Sequence, residues 1–207
     1  MNPWESIKLS DYEGHMSLET VKQLQAMDRI MGDQFGAYPV TTAMVLGVAG
    51  GNGLEHIDKD KFSTVYGIDI NSDYLKTVEE RYKDLGGILQ CIRIDLTNEP
   101  DKLPQAQLVI ANLLIEYIGY EAFCKAVLRT GAEYVSAVIQ INTDTISWVS
   151  ESPYIHAFDG LDEVHHQMEE EELINAMKGI GYDHILRSSE TMPNAKALVR
   201  LDFRRVT

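Results

Sequence analysis

The sequence predicts an α/β fold: a doubly wound, mostly parallel seven-stranded sheet with helices on both faces, an antiparallel C-terminal hairpin and a helix ahead of the sheet. Three observations predict it. From residue 43 onward, short apolar runs alternate with segments of helical periodicity. Several of those runs are continuously apolar, as strands buried on both faces require. The last two strand-like runs are separated only by a short turn, so they should pair antiparallel.

Each element has its own justification. Ser10 and Glu13 have capping-box spacing, and Leu18, Val21, Leu24, Met27, Ile30 and Met31 then recur at three- and four-residue steps, which predicts one N-terminal helix. AMVLGV (43–48) is the first strand. A glycine-rich loop and a short helix from about Leu54 follow it. TVYGID (64–69) is the second strand, with Asn71 or Ser72 placed to cap a helix whose apolar face carries Leu75, Val78, Tyr82 and Leu85. LQCIRID (89–95) and QLVIAN (107–112) are the third and fourth strands. Tyr120, Phe123, Val127 and Leu128 suit a helix ended by Gly131. EYVSAVIQIN (133–142) is the fifth strand. Residues 143–167 lack periodicity. A helix starts near Glu169, where EEEE complements the helix dipole. YDHILRSSE (182–190) and AKALVRLDFRR (195–205), joined by TMPN, complete the sheet.

The bulk numbers exclude several classes. At 207 residues, 44% hydrophobic and 24% charged, the chain suits one globular domain. It has no apolar run long enough to span a membrane and no N-terminal signal-peptide pattern, so no membrane partner is expected. A net charge of −14 repels phosphate backbones, so no nucleic-acid partner is expected. Cys91 and Cys124 lie in apolar surroundings without metal-ligand spacing; buried thiols and a cytoplasmic location fit them.

The loop in VLGVAGGNGLEHID (45–58) carries the functional signal. Glycines let a chain turn tightly and let a ligand approach the backbone. In open α/β sheets, ligands bind beyond the carboxyl ends of the strands. Asp69 closes the second strand, 22 residues after Gly47, where a carboxylate suits ribose hydroxyls. Asp95 closes the third, where it can accept a hydrogen bond from an adenine amino group. As purely structural roles, Asp69 would cap the next helix and Asp95 would initiate a turn.

VLGVAGGNG, VYGIDIN, IRIDLTN and LVIANLLIEYIG, in that order and spacing, resemble the class I S-adenosylmethionine-dependent methyltransferases over residues 40–205. The resemblance implies a Rossmann-like sheet, S-adenosyl-L-methionine as cofactor and methyl transfer to a small-molecule acceptor. It implies that the loop, with Gly47, Ala49, Gly51 and Gly53, wraps the methionine part of the cofactor. Asp69 would hold the ribose and Ile70 would pack on the adenine. Asp95 and Leu96 would frame the adenine edge, and Asn112 would begin the segment near the sulfonium. Residues 1–40 would form a helical lid, from which Tyr12 or His15 would reach the methionine carboxylate. Residues 41–207 would form the cofactor-binding sheet, with a substrate segment at 143–167. The single domain would act as a monomer or homodimer.

The sequence departs from the family pattern twice. Gly47 stands where the family often has an acidic residue that helps hold the cofactor's amino group. Ala49 replaces the first glycine, which is harmless where its φ is negative. A degenerate or non-catalytic binder is therefore an alternative. A nicotinamide-dependent oxidoreductase is a weaker one, since the G-x-G-x-x-G positions read Gly47, Ala49 and Asn52.

Methyl transfer needs a base only if the acceptor holds a proton. The candidates are His15, Glu116, His156 and His165; His166 and Tyr117 lie beside them, and His56 and His184 look structural. Asn112 is followed by Leu113 and Leu114, not by the Pro-Pro-aromatic sequence of amino-methyltransferases acting on DNA bases or glutamine. No metal site is expected.

Overall fold

A computed structural model describes residues 2–142, 152–193 and 196–206. The strands are β1 (Thr42–Leu46), β2 (Thr64–Asp69), β3 (Leu89–Arg93), β4 (Leu108–Asn112), β5 (Tyr134–Asn142), β6 (Tyr182–Met192) and β7 (Lys196–Arg205). They form one sheet in the order β3-β2-β1-β4-β5-β7-β6. β1 to β5 run parallel, and β7 pairs antiparallel with both β5 and β6. The order reverses at β1, between β2 and β4, which places a crevice beyond the carboxyl ends of those strands.

The helices α1 (Leu9–Met16), α2 (Gln23–Gly36), α3 (Ser72–Arg81), α4 (Ile115–Thr130) and α5 (Glu170–Gly179) cover both faces. Alternation along β1 explains its unbroken apolar run. Met44 and Leu46 pack on one side with Phe123 and Val127 of α4 and Leu173 of α5. Ala43 and Val45 pack on the other with Phe35 of α2 and Val78 of α3. Each fully buried aliphatic side chain contributes roughly 1.5–3 kcal/mol. Gly131, at φ 65°, ends α4. That helix is interrupted at Gly119, whose φ of 74° and ψ of 165° are not helical.

The N-terminal region departs from expectation. It forms two helices, not one, separated by a turn in which Lys22 takes φ 55°. Leu18 and Val21 lie in that turn. Ser10 caps nothing; its hydroxyl donates to Asp11. The capping box is instead Asn2 with Glu5, on a short turn of helix at Pro3–Glu5. Asn71 caps α3, its Oδ1 accepting from the N–H groups of Asp73 and Tyr74 at 3.0 and 3.3 Å. Of the expected substrate segment, 143–151 lies outside the described residues, and Ile155–Glu163 is a 3-10 helix. Among the described residues no helix is long and apolar enough to cross a membrane. Nor does any group of three or more His, Cys, Asp or Glu there have the arrangement to hold a metal ion.

A buried polar network ties β4, β5 and β7 to α2. Asp202 of β7 is fully buried and accepts from Arg200 at 2.5 Å, from Ser136 at 2.5 Å and from Tyr38 at 2.6 Å. Gln34 of α2 donates to Ser136 Oγ and to Asn112 Oδ1, both at 2.9 Å, and accepts from Asn112 Nδ2 at 2.8 Å.

Candidate functional site

After β1 the chain folds back on β2: the N–H groups of Gly47 and Val48 both donate to the Ile68 carbonyl. Asp69 then fastens the loop. Its Oδ2 accepts from the Ala49 N–H and its Oδ1 from the Asn71 N–H, each at 2.9 Å. Burial pushes this carboxyl above the ordinary range, and the N–H groups of Asn71, Ala49 and Ile70 pull it back.

Ala49 has φ +46°, so the negative φ that would make alanine harmless is not what the loop adopts. A left-handed alanine costs roughly 1–2 kcal/mol, which the fastening by Asp69 offsets. The four loop positions also divide by role. A Cβ on Gly51 would lie 2.7 Å from Tyr82, and one on Gly53 2.5 Å from Met31. Those two glycines permit internal packing and line none of the cavities described below.

Beyond the strand ends lies a first cavity of about 670 Å³. Gly47, Ala49, Asp69 and Ile70 line it from the β1 and β2 ends. Asp95, Leu96 and Asn112 line it from the β3 and β4 ends, and Tyr12 lines it from α1. Asp95 also starts a turn, accepting from the Thr97 and Asn98 N–H groups at 3.0 and 3.2 Å. Tyr74, in the first turn of α3, is a wall residue missing from the sequence-based set. Its hydroxyl is buried and has no hydrogen-bond partner.

A third cavity, of about 560 Å³, lies against the other side of Gly47 and Ala49, with Glu13 and Met16 of α1 on its wall. Glu13 is paired with Arg81, whose Nη1 also donates to the Gly50 carbonyl at 2.9 Å. The N-terminal segment is fastened over the strand ends at two further points. Arg93 pairs with Glu5 at 2.7 Å, and Asn71 Nδ2 donates to the Trp4 carbonyl at 2.9 Å.

The second cavity, of about 590 Å³, adjoins both. Tyr12 and Leu113 stand on the walls of all three cavities. Leu113 has φ +53°, a strained backbone at the point where the cavities meet. His15, Glu116 and His165 line the second cavity with Gln23, Gln140 and Lys196. His15 is buried, its Nδ1 lying 2.7 Å from Ser152 Oγ. Burial, then the charge of Lys196, lowers the pKa of His15; burial, then His166 and Lys196, lowers that of His165 against the opposing charge of Asp162. His15 therefore belongs with the second cavity and not with the two that border the loop.

Two other expected residues stand differently from their sequence-based roles. His156 is exposed, pairs with Asp159 at 3.3 Å and lines none of these cavities. The Asn112 amide borders two cavities but is engaged with Gln34 and the Met31 sulfur. Non-local residues such as Gln23, Gln140 and Lys196 carry no local motif. The signal available for Tyr74 was its place three residues after the cap Asn71.

No protein-family model matches the sequence, and no curated protein matches it. Solved structures do. Magnesium protoporphyrin IX methyltransferase from Synechocystis PCC 6803, with bound SAH, superposes with TM-score 0.68 at 12% identity, covering 98% of this chain and 96% of that one. The fold is that of the class I S-adenosylmethionine-dependent methyltransferases. Geranyl diphosphate C-methyltransferase from Streptomyces coelicolor A3(2), in complex with Mg2+, geranyl diphosphate and S-adenosyl-L-homocysteine, superposes with TM-score 0.67 at 12% identity, over 95% and 83% of the two chains. The [4+2]-cyclase SpnF superposes with TM-score 0.67 at 8% identity, over 89% and 82% of the two chains. At such identities the likeness concerns the fold, and chemistry must be argued from the site.

Proposed function

We propose that this protein is an S-adenosylmethionine-dependent methyltransferase acting on a small molecule. The observation that carries the reading is the cavity at the carboxyl ends of β1 and β2, with Asp69 on its wall, adjoining a second cavity of similar size. The first cavity suits the adenosine part of the cofactor. Ile70, Leu96 and Ile118 offer apolar faces to a flat base, while Asp69 and the partnerless Tyr74 hydroxyl offer polar groups to a ribose.

In this reading the third cavity takes the methionine part, and Glu13 supplies the acidic group that Gly47 lacks. When bound, S-adenosylmethionine supplies an electrophilic methyl group. The protein's own work is to position the acceptor and exclude water. The segment carrying Trp4 and Tyr12, fastened through Asn71, Arg81 and Arg93, serves as the lid. The acceptor occupies the second cavity, where Glu116, His15 and His165 are the groups able to handle a proton. Two free, half-buried cysteines suit a cytoplasmic location.

Thermal unfolding with added ligand tests the reading. S-adenosylmethionine and S-adenosylhomocysteine should each raise Tm, while NADH should not. A rise with NADH alone would replace this reading with a dinucleotide enzyme.

A further inference from the structure

Glu116 lies in the first turn of α4 and is 4% exposed. Its Oε1 accepts the Gln140 N–H at 3.2 Å, while Oε2 is buried with no hydrogen-bond partner. A partnerless buried carboxylate oxygen costs about 1–3 kcal/mol or more. A ligand that donates a hydrogen bond from the second cavity would remove that cost. Burial pushes the Glu116 carboxyl up to about 7, and only backbone N–H groups, its own and that of Gln140, oppose the rise. A carboxyl poised there accepts a proton from a moderately acidic group near neutral pH.

The groups around Glu116 narrow the acceptor. Lys196 of β7 lies on the same cavity wall, and its charge acts on His15 of α1 and on His165. Burial lowers the pKa of both histidines, and the charge of Asp162 opposes the fall at His165. Trp4, Tyr12, Tyr117 and Phe158 add aromatic walls, with Trp4 and Tyr117 edge to face at 4.9 Å between centroids. Such walls suit a planar ring.

We propose that Glu116 takes the acceptor's proton, and that the acceptor is a planar compound with an acidic hydroxyl, a phenol or an enol; this rests on the methyltransferase reading above. The hydroxyl proton moves to Glu116 Oε2 as an oxygen lone pair forms the bond to the methyl carbon. The electron pair of the broken carbon–sulfur bond stays on sulfur. The products are a methyl ether, a neutral thioether and a protonated Glu116, which returns its proton to water. An aliphatic alcohol is too weak an acid for this base.

The test uses S-adenosylhomocysteine and para-nitrophenol as probes, on wild type and E116Q. Binding of the first is followed by calorimetry and of the second by absorbance, across pH. Wild type with S-adenosylhomocysteine bound should bind para-nitrophenol best near neutral pH, with affinity falling on both sides, because one proton is shared between phenol and Glu116. E116Q should keep its S-adenosylhomocysteine affinity, which shows that it is folded. It should lose about tenfold in para-nitrophenol affinity at neutral pH and lose the fall on the acid side. An acid-side fall that persists in E116Q assigns the titration to His15 or His165 and overturns the proposal. So does S-adenosylhomocysteine binding without para-nitrophenol binding in wild type. Failure of wild type to bind S-adenosylhomocysteine overturns the cofactor reading itself, and the proposal with it.

Discussion

The carboxylate of Asp69, at the end of β2, accepts the N–H of Ala49, in the loop after β1, at 2.9 Å. This bond joins the two strand ends that border the first cavity. It also holds Ala49 at φ +46°, a conformation alanine does not adopt by preference. Asp69 thus has a structural task beside any ligand task, and the two share one carboxylate.

Ala49→Gly should stabilise the fold. Relief of the left-handed strain is worth roughly 1–2 kcal/mol. The added freedom of the unfolded chain takes back roughly 0.4–1 kcal/mol. Urea unfolding should show a net gain between zero and about 1.6 kcal/mol, and a loss would mean that the loop has another conformation.

Asn71→Ala should cost about 2 kcal/mol. It removes the cap of α3, typically about 1 kcal/mol, and also the 2.9 Å bond to the Trp4 carbonyl. The second loss has its own readout. Limited proteolysis should cut the N-terminal segment faster in the variant than in wild type.

Glu116 sets a pH dependence of stability. Burial lifts its pKa from 4.5 to about 7, so the folded chain holds this proton more tightly than the unfolded chain. The stabilising contribution is complete below pH 4.5 and is lost as pH rises through about 7, about 3 kcal/mol in all. E116Q, which does not titrate, should gain Tm relative to wild type between mildly acidic and mildly alkaline pH. A Tm difference independent of pH would show that Glu116 is ionised in both states.

Asp202→Asn should cost roughly 3–5 kcal/mol, because Arg200 is then buried without its counter-charge. The Arg200 and Asp202 side chains are 7% and 0% exposed. Chemical unfolding measures the loss, and a cost below about 1 kcal/mol would mean that water reaches the pair.

Much of the fold was legible because its signals are local. Continuous apolar runs mark strands covered on both faces, and β2 matches its expected span of 64–69. The break between α1 and α2 was not legible, since Leu18 and Val21 keep helical spacing through the turn. Glu13 mimicked a capping partner, but its carboxylate is engaged with Arg81. At the site, residues at strand ends such as Asp69 and Asp95 could be named from their place in the pattern. The second cavity could not. It draws on α1, α2, α4, β5 and β7, and only tertiary contact unites Gln23, Glu116, Gln140 and Lys196. Arg200 and Asp202 carried a usable signal: opposite charges two apart on a strand share one face.

The cavity beside Asp69 is the proposed seat of an adenosyl cofactor. Calorimetric titration of wild type and folded D69A with S-adenosylhomocysteine tests it most directly. Wild type should bind with micromolar affinity and D69A should lose at least about tenfold, the worth of a charge-assisted hydrogen bond. Equal affinity in the two proteins, or no binding to wild type, would contradict it.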